Sequence, residues 1–243
     1  MRFTIKQWNA YTLGCSSPKS WECYLAGKEL PLDREEIDVS FLPALQRRRL
    51  TSLAKMVFHV AWPLGRSDGP QPLVFSSRHG DNIKNLALLV DVANKEPLSP
   101  ASFSLSVHNA ITGLWSIYRQ QTAEMIAIAA RRDSLETAVI EACLLLNQGH
   151  SSVLVVVAED SQPEFYQPWI DDVPYPYALA LEIAPGNDWQ LTQEGALTIL
   201  PFENQPRLPA GLSIISLLLG KVTEQIKRGA TNQAWRWKHH VKG

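Results

Sequence analysis

The chain has 243 residues, of which 45% are hydrophobic and 19% are charged, and its formal net charge at pH 7 is −1. This balance gives no electrostatic reason to expect nucleic acid or an anionic membrane as a partner, and the length suits one large α/β domain, which we expect to span residues 1–243. The N-terminus, MRFTIKQWNAYTLG, lacks the apolar core of a signal peptide and no segment approaches the length of a membrane span, so we expect a cytoplasmic protein.

The first predicted element is a strand at the N-terminus. Phe3, Ile5 and Trp8 lie in a stretch of alternating character, which favours a strand near the centre of a sheet. The stretch 13–36 is rich in Gly, Pro, Ser and charged residues, and we expect irregular structure there.

The three cysteines, Cys15, Cys23 and Cys143, do not have metal-type spacing. Cys143 falls on the apolar face of a predicted helix and is expected in the core. The other two are expected as reduced thiols in a loop-rich region, because a zinc site built on them would need two further ligands that the sequence does not supply. We therefore expect neither a metal nor a cofactor.

A helix is predicted within residues 42–62. Arg47, Arg48, Thr51 and Lys55 lie largely opposite its apolar stripe, which indicates a surface helix packed on a sheet. Arg47–Arg49 is then most simply a solvated basic face. The apolar stripe consists of Leu50, Leu53, Ala54, Val57, Phe58 and Ala61.

A strand at 72–77 and a helix are predicted next, joined by a polar turn. Arg78, His79 and Asp81 in this turn could be mistaken for an acid-base site. Our interpretation is that Asp81 or Asn82 caps the helix by accepting hydrogen bonds from its first free backbone N–H groups. The apolar positions of the helix are Ile83, Leu86, Leu89, Val90 and Ala93.

A β-α-β unit is predicted within residues 98–160. A polar segment rich in small residues leads into a helix, which is followed by a strand at 125–130, a second helix at 134–147 and a β-branched strand at 153–157. The last strand is an almost unbroken apolar run, which is typical of a mostly parallel sheet covered by helices on both faces. Gly149 can end the second helix.

The C-terminal part is less regular. A proline-rich, aromatic stretch at 161–176 precedes a strand, ALALEIA, that we expect to end in a turn around Pro185 and Gly186. The tail WRWKHHVKG is basic and aromatic, but the chain has no second basic stripe that would favour nucleic-acid binding. Residues 209–228 are predicted as a helix because Leu212, Ile215, Leu218, Leu219, Val222 and Ile226 recur at helical spacing.

The β-α-β unit also carries a family resemblance. The matching positions are Asn109, Gly113, Ser116, Ile117 and Tyr118 in the first helix and the run IAIAARRDS in the strand and elbow that follow. On these residues the chain resembles the first half of a β-ketoacyl-acyl-carrier-protein synthase, over about residues 72–160. Within that family it is similar to the short, cysteine-less chain-length-factor-like subunits of aryl polyene biosynthesis. The resemblance implies a thiolase-like, half-ketosynthase fold with a central mixed sheet flanked by helices.

The resemblance also shows what this chain lacks. The family's elbow carries a nucleophilic cysteine, but Arg131 or Arg132 stands at that position here. An arginine guanidinium stays protonated and cannot form a thioester. The six histidines do not fall in a second β-α repeat of the kind that completes the family's site, and no G-x-S-x-G, P-loop, dinucleotide-binding or HExxH motif is present. We therefore expect no catalytic residue and no condensation by this chain alone.

What the resemblance implies is a non-catalytic partner that pairs with a full-length ketosynthase and shapes its acyl tunnel. In the family's heterodimers, the strand that here contains Ile126 and Ile128 pairs across the two-fold axis, and residues before the glycine that is Gly113 here reach the far end of the partner's tunnel. The acyl carrier protein is expected to dock through the partner, with Arg47–Arg49 as an alternative site, because arginine suits carboxylates and phosphates. The tunnel positions are Phe103, Leu105, Ser106, Val107, His108, Asn109 and Ile111.

A second function remains open at the same segment. His108, with Ser106 or Asn109, could serve a stand-alone small acyltransferase or thioesterase, because an imidazole can act as a general base. A lone histidine beside small residues is, however, more often a hydrogen-bonded structural residue. An assay of the purified chain, alone and with its partner, separates the two functions.

Overall fold

The computed structural model of the chain describes residues 1–26, 37–66, 69–171, 175–195, 208–231 and 233–240. The strands within these ranges are β1 (Arg2–Thr12), β2 (Leu73–Ser76), β3 (Met125–Ile128), β4 (Val153–Glu159), β5 (Tyr177–Glu194), β6 (Glu224–Arg228) and β7 (Ala234–His239). The helices are α1 (Pro18–Leu25), α2 (Ala44–Arg47), α3 (Ser52–Ala61), α4 (Asn82–Ala93), α5 (Pro100–Ser104), α6 (Ala110–Arg119), α7 (Ser134–Asn147) and α8 (Ile215–Leu218).

The described strands form one mixed sheet. Its order is β3-β2-β4-β5-β7-β6, and β1 pairs with β5. The pairs β2–β3 and β2–β4 are parallel, whereas the other pairs are antiparallel. The expected α/β architecture with a central mixed sheet flanked by helices is confirmed, as are the strands predicted near 72–77, 125–130 and 153–157.

Strand β4 lies in the middle of the sheet and is buried along its whole length. Val155 and Val157 face the core that α7 shares, whereas Val156 and Ala158 face the core that α3 and α6 share. Successive side chains of a strand point to opposite faces, so both faces must be covered when no polar residue alternates with the valines. Helix α7 has the predicted bounds and buries Cys143 in this core, as expected.

The helix predicted within 42–62 is divided in two. Helix α2 ends at Arg47, and the Thr51 hydroxyl then caps α3 by accepting a hydrogen bond from the Ala54 N–H at 3.3 Å. The expectation of a surface helix was wrong for α3, because seven of its ten residues are buried under β1, β4 and β5. Arg47–Arg49 therefore belongs to the exposed end of α2 and the turn after it.

Three expectations for the N-terminal half and β5 were also wrong. The described part of the stretch 13–36 contains α1, which begins at a capping box of Ser17 and Ser20, whereas residues 27–36 lie outside the described ranges. Strand β1 has one strand neighbour among the described residues, β5, and so is not central. Strand β5 does not end at Pro185: Gly186 packs closely against Thr4 where the register with β1 shifts, so these residues form a bulge instead of a turn.

The helix predicted at 209–228 is wrong as well. A 3-10 turn (Ala210–Leu212) and α8 are followed by Gly220, whose φ of +67° ends the helical course. The chain then forms β6, which pairs with β7 from the basic tail. The hydrogen bonds between β6 and β7 therefore outweigh the helical preference that the spacing of Val222 and Ile226 indicated. None of the helices in the described ranges has the length and hydropathy needed to cross a membrane.

Candidate functional site

The elbow between β3 and α7 is the position that the family resemblance singles out. Arg131 has a φ of +50°, a left-handed conformation that a non-glycine residue rarely adopts, and it opens a 3-10 turn, Arg131–Asp133, that runs into α7. The Ser134 hydroxyl donates to the Arg131 carbonyl at 2.8 Å, which fixes the turn. Both Arg131 and Arg132 have exposed side chains, so the elbow carries two cations and no thiol.

The C-terminal hairpin holds this elbow from the other side. Lys227 Nζ donates to the Arg132 carbonyl at 2.9 Å, and the Asp133 carboxylate accepts from the Ala230 N–H at 3.0 Å. Arg132 also forms an ion pair with Asp171 at 2.9 Å. The elbow is thus tied both to β6 and to the end of the proline-rich stretch.

A buried carboxylate, Glu159 at the end of β4, lies next to the elbow and was not anticipated from the sequence. It accepts hydrogen bonds from the Ser77 hydroxyl at 3.1 Å and from the backbone N–H groups of Arg78 and His79, the latter at 3.2 Å. Burial raises the pKa of Glu159 to about 7, although these hydrogen bonds act in the opposite direction. The neighbouring ends of β2 and β4 were the available signal, because polar residues that follow adjacent parallel strands meet at one edge.

The space between Glu159 and the elbow is small. A cavity of about 20 Å³ is lined by Arg131, Glu159, Tyr177 and Ala210, among others. Such a volume holds about one water molecule. This cavity is too small for an acyl chain.

The His108 side chain contacts β2 and the residue that follows it. Because a carbonyl oxygen can only accept, Nε2 of His108 donates to the Ser77 carbonyl at 2.8 Å. The Ser106 hydroxyl donates to the Phe103 carbonyl at 2.8 Å, so the described contacts do not join it to His108. Asn109 is exposed and provides no side-chain cap for α6. This geometry does not assemble the nucleophile and base that the alternative enzyme function needs.

The predicted tunnel segment is divided between surface and core. Phe103 and Val107 are 60% and 51% exposed, whereas Ile111 is buried in this chain's own core. Leu105 and Ser106 are half-buried, and Gly113 is exposed on α6. The segment therefore presents its first part, and not Ile111, to the outside.

The same side of the molecule carries an uncovered apolar surface. Helix α4 has no buried residue, and it makes no extensive contact with another helix or strand among the described residues. Asp81 caps this helix by accepting from the Lys84 N–H at 3.2 Å, as expected. The large apolar residues that are about half or more exposed on α4 and α6 are Ile83, Leu89, Val90, Val92 and Ile117.

Strand β3 forms an open edge of the sheet beside this surface. It pairs with β2 on one side and with no other strand of the described ranges. Ile126 and Ile128 are half-buried and pack partly against the core below α7. The carbonyls of Glu124 and Ile128 accept from β2, so the backbone groups of Met125 and Ala127 point to the open edge, since those of successive residues alternate in direction.

The described residues contain no group of three or more His, Cys, Asp or Glu side chains placed to hold a metal ion. Cys15 is buried and Cys23 is half-buried, and neither forms a disulfide. The Cys15 thiol donates to the Ser20 carbonyl at 3.5 Å, and Cys23 lies on α1 and not in a loop.

A family model described as the N-terminal domain of β-ketoacyl synthases matches residues 21–238 of the chain. A comparison with curated protein sequences finds no significant match. Among solved structures, the chain is similar to one from the complex of a ketosynthase with its chain length factor from Xenorhabdus doucetiae. The identity is 28%, the TM-score is 0.84, and the match covers 98% of this chain and 100% of the other.

More distant similarities concern the fold alone. The ishigamide ketosynthase/chain length factor is 13% identical with a TM-score of 0.66, and the match covers 81% of this chain and 68% of that one. A β-ketoacyl synthase from Burkholderia phymatum is also 13% identical, with a TM-score of 0.64 and coverage of 81% and 65%. The expected thiolase-like ketosynthase fold is thereby confirmed.

Proposed function

Because the chain belongs to the family of β-ketoacyl synthase N-terminal domains, we propose that it is a chain-length-factor-like subunit that pairs with a full-length ketosynthase and has no condensing activity of its own. The observation that carries this proposal is its similarity, over the full length of both chains, to a chain from a ketosynthase complex with its chain length factor. In that role the chain would stabilise the heterodimer and shape the partner's acyl tunnel during fatty-acid-type or aryl polyene elongation.

The elbow supports the non-catalytic part of the proposal. Of the two candidates for the nucleophile position, we favour Arg131, because it has the left-handed φ and lines the small cavity. A guanidinium there cannot be acylated, and the cavity of about 20 Å³ that Arg131 lines is too small for a substrate chain. The reacting thiol would therefore be the ketosynthase's.

The open edge of β3 and the exposed face of α4 support the pairing. An edge strand presents unpaired backbone N–H and C=O groups that a strand of another chain can bind. Leu89, Val90 and Val92 are each about half exposed, which is unusual for neighbouring apolar residues on one helix of a protein without a partner. We propose that a ketosynthase covers both surfaces and that acyl carrier protein is bound through the ketosynthase.

The exposed part of the tunnel segment supports the length-controlling part. Phe103 and Val107, with half-buried Ser106 between them, lie beside the same surface and can extend into a neighbouring subunit. Ile111 cannot extend into a neighbouring subunit, because it is buried in the chain's own core.

The test is to produce the chain alone, the ketosynthase alone and the two together. We expect one stable heterodimer on gel filtration. Only the complex should elongate an acyl chain with malonyl groups carried by acyl carrier protein, and intact mass spectrometry should find no covalent acyl group on this chain. Condensation by the isolated chain would contradict the proposal and favour the alternative enzyme. The cytoplasmic location remains a prediction, to be tested by fractionating cells that produce the tagged chain.

A further inference from the structure

A wide cleft lies on the opposite side of β4 from the open edge. It is bordered by the end of β1, the segment 37–40, the first turns of α3 and the residues that follow β4, and its volume is about 1180 Å³. Sites for small molecules typically have volumes of roughly 300–1,000 Å³. The cleft is thus large enough for a ligand with an extended chain.

One wall of the cleft is basic. Arg47 and Arg48 stand at the end of α2, and Lys55 projects from α3. None of the three is in an ion pair with another residue of the described ranges. Two carboxylates, Asp38 and Asp160, also border the cleft, so three positive charges face two negative ones and leave an excess of one positive charge.

Both carboxylates interact with the protein's own groups. The pKa of Asp38 is lowered by hydrogen bonds from Ser40 and, to a smaller extent, by the charges of His59 and Arg47, and Asp160 also has a hydrogen bond with the Ser52 side chain. Asp38 Oδ1 accepts a hydrogen bond from the Ser40 N–H at 2.8 Å, and Asp160 Oδ1 accepts one from the Ser161 N–H at 2.8 Å. Burial in addition raises the pKa of Asp160, which opposes its ionisation. The guanidinium groups of Arg47 and Arg48 therefore keep donors available for an added anion.

The remaining lining is apolar. The exposed carbon surface of the cleft comes from half-buried Leu13, Ile37 and Pro176 and from exposed Ala44, whereas Val39 and Met56 form its buried floor. Contact with a ligand's hydrocarbon would remove this surface from water, which is favourable in proportion to the area buried. A basic wall beside an apolar wall matches a molecule with a charged head and an apolar body.

We propose that this cleft binds an anionic amphiphile, in which a carboxylate or phosphate head is attached to a hydrocarbon chain. The head lies against Arg47, Arg48 and Lys55, and the chain lies along Leu13 and Ile37. Planar guanidinium groups bind the oxygens of either head by paired hydrogen bonds, so the shared chemistry is a head with two or more anionic oxygens.

The cleft is distinct from the β3 edge, because β2 lies between β3 and β4 and the cleft adjoins β1 and the end of β4. It comes closer to the tunnel segment, since Arg49 and Thr51, which neighbour the cleft, line a small pocket together with Leu105 and Val107. Binding to the isolated chain therefore tests the proposal without the ketosynthase, and binding to the complex reports whether the partner leaves the cleft open.

Titration calorimetry on the full chain, and on its complex with the ketosynthase, tests the proposal with decanoate and decyl phosphate below their micelle concentrations. We expect one site per chain, filled by at least one of the two anions, and the tighter of them identifies the head group. Decyltrimethylammonium, which has the same chain and the opposite charge, should bind at least about tenfold more weakly. Equal binding of the cation, or no binding of either anion, would overturn the proposal.

Variants locate the site. Replacing both arginines, Arg47→Ala with Arg48→Ala, should weaken anion binding by about tenfold or more. The matched control is Arg49→Ala: Arg49 is the next residue but does not line this cleft, so the affinity should change by less than about twofold. An equal loss in both variants would place the anion elsewhere. If circular dichroism reveals that the double variant is misfolded, Lys55→Met provides the same comparison.

Discussion

Nζ of Lys227 lies 2.8 Å from Oε2 of Glu136, and this ion pair joins strand β6 to the first turn of α7 directly behind the elbow. The Glu136 side chain is fully buried, and its Oε1 also accepts from the Trp237 indole N–H at 3.2 Å. A buried carboxylate with two such donors holds the C-terminal hairpin on the body of the fold.

Removing one member of this pair should destabilise the chain strongly. Lys227→Met leaves the buried Glu136 carboxylate without its cation, and such losses typically cost about 3 kcal/mol or more of the free energy of unfolding. The measurement is equilibrium denaturation in urea. The control is Lys221→Met, which breaks the exposed pair with Glu22 and should cost less than about 1 kcal/mol. Equal costs for the two variants would mean that the buried pair is not an anchor.

The stability of the chain should depend on pH through Glu159. Its pKa is raised from 4.5 to about 7 by burial, so the folded state holds a proton that the unfolded state releases. The stabilisation from this group is therefore complete below pH 4.5 and is lost as the pH rises to about 7. The full shift corresponds to about 3 kcal/mol at most.

Unfolding free energies of the wild type and of Glu159→Gln between pH 4.5 and 8 test this dependence. A glutamine cannot ionise. The difference in unfolding free energy between the two proteins should therefore change from pH 4.5 to about 7 and stay constant from there to pH 8. A difference that stays the same at every pH would show that Glu159 does not titrate there.

Charge on the edge strand should abolish the proposed pairing. Ile126→Asp or Ile128→Asp should prevent co-purification with the ketosynthase. Because both isoleucines also pack partly against the core, the fold of each variant must be checked by circular dichroism.

A second variant acts on the edge without touching that packing. Ala127→Pro removes a backbone N–H that points to the open side, and proline is tolerated at edge strands. It should weaken association measurably, whereas Leu144→Asp, at an exposed position of α7, should leave it unchanged. Stable complexes with all the β3 variants would place the interface elsewhere.

Bulk in the tunnel segment should shorten the product. Val107→Trp or Ser106→Trp in an intact heterodimer adds volume where we propose that the growing chain ends, and overpacking of this kind costs about 1–3 kcal/mol, or roughly tenfold or more in discrimination. Mass spectrometry of the products should reveal shorter chains with the first condensations retained. Ala101→Trp is the matched control, because Ala101 is exposed on α5 and precedes the segment. An unchanged product distribution would leave the subunit as a stabilising scaffold only.

Neither elbow arginine should be needed for condensation. Arg131→Ala and Arg132→Ala should leave the turnover of the assembled complex within about twofold, since Arg132 forms only an exposed ion pair with Asp171. Intact mass spectrometry should find no acyl group on this subunit in the wild type or in either variant. An adduct that one replacement removes would show that the elbow is reactive after all.

Local periodicity predicted those elements whose neighbours are near in the sequence. Helix α7 and strand β4 were evident because the helical spacing of apolar residues and the β-branched run both match their environments. Glu159 could not be predicted as a site in the same way, since its raised pKa depends on burial by segments that the sequence does not place beside it.

Elements that depend on pairing between distant segments could not be predicted from local patterns. Residues 215–226 have helical spacing, but β7 supplies a ladder that turns Glu224–Arg228 into a strand. The exposure of the apolar face of α4 could not be predicted either, because its apolar residues have the spacing of a helix that packs on its own sheet. At the elbow, the sequence predicted that either Arg131 or Arg132 stands at the nucleophile position, and we propose Arg131 because of its left-handed backbone conformation.

Because β3 has an open edge, the amount of this subunit relative to the ketosynthase should affect whether the chain associates with itself. Its four residues present backbone donors and acceptors to whatever strand arrives first, and no charged side chain lies between Met125 and Ile128 to deter a second copy of the same chain. An excess of this polypeptide over the ketosynthase should therefore favour edge-to-edge association between copies of the chain.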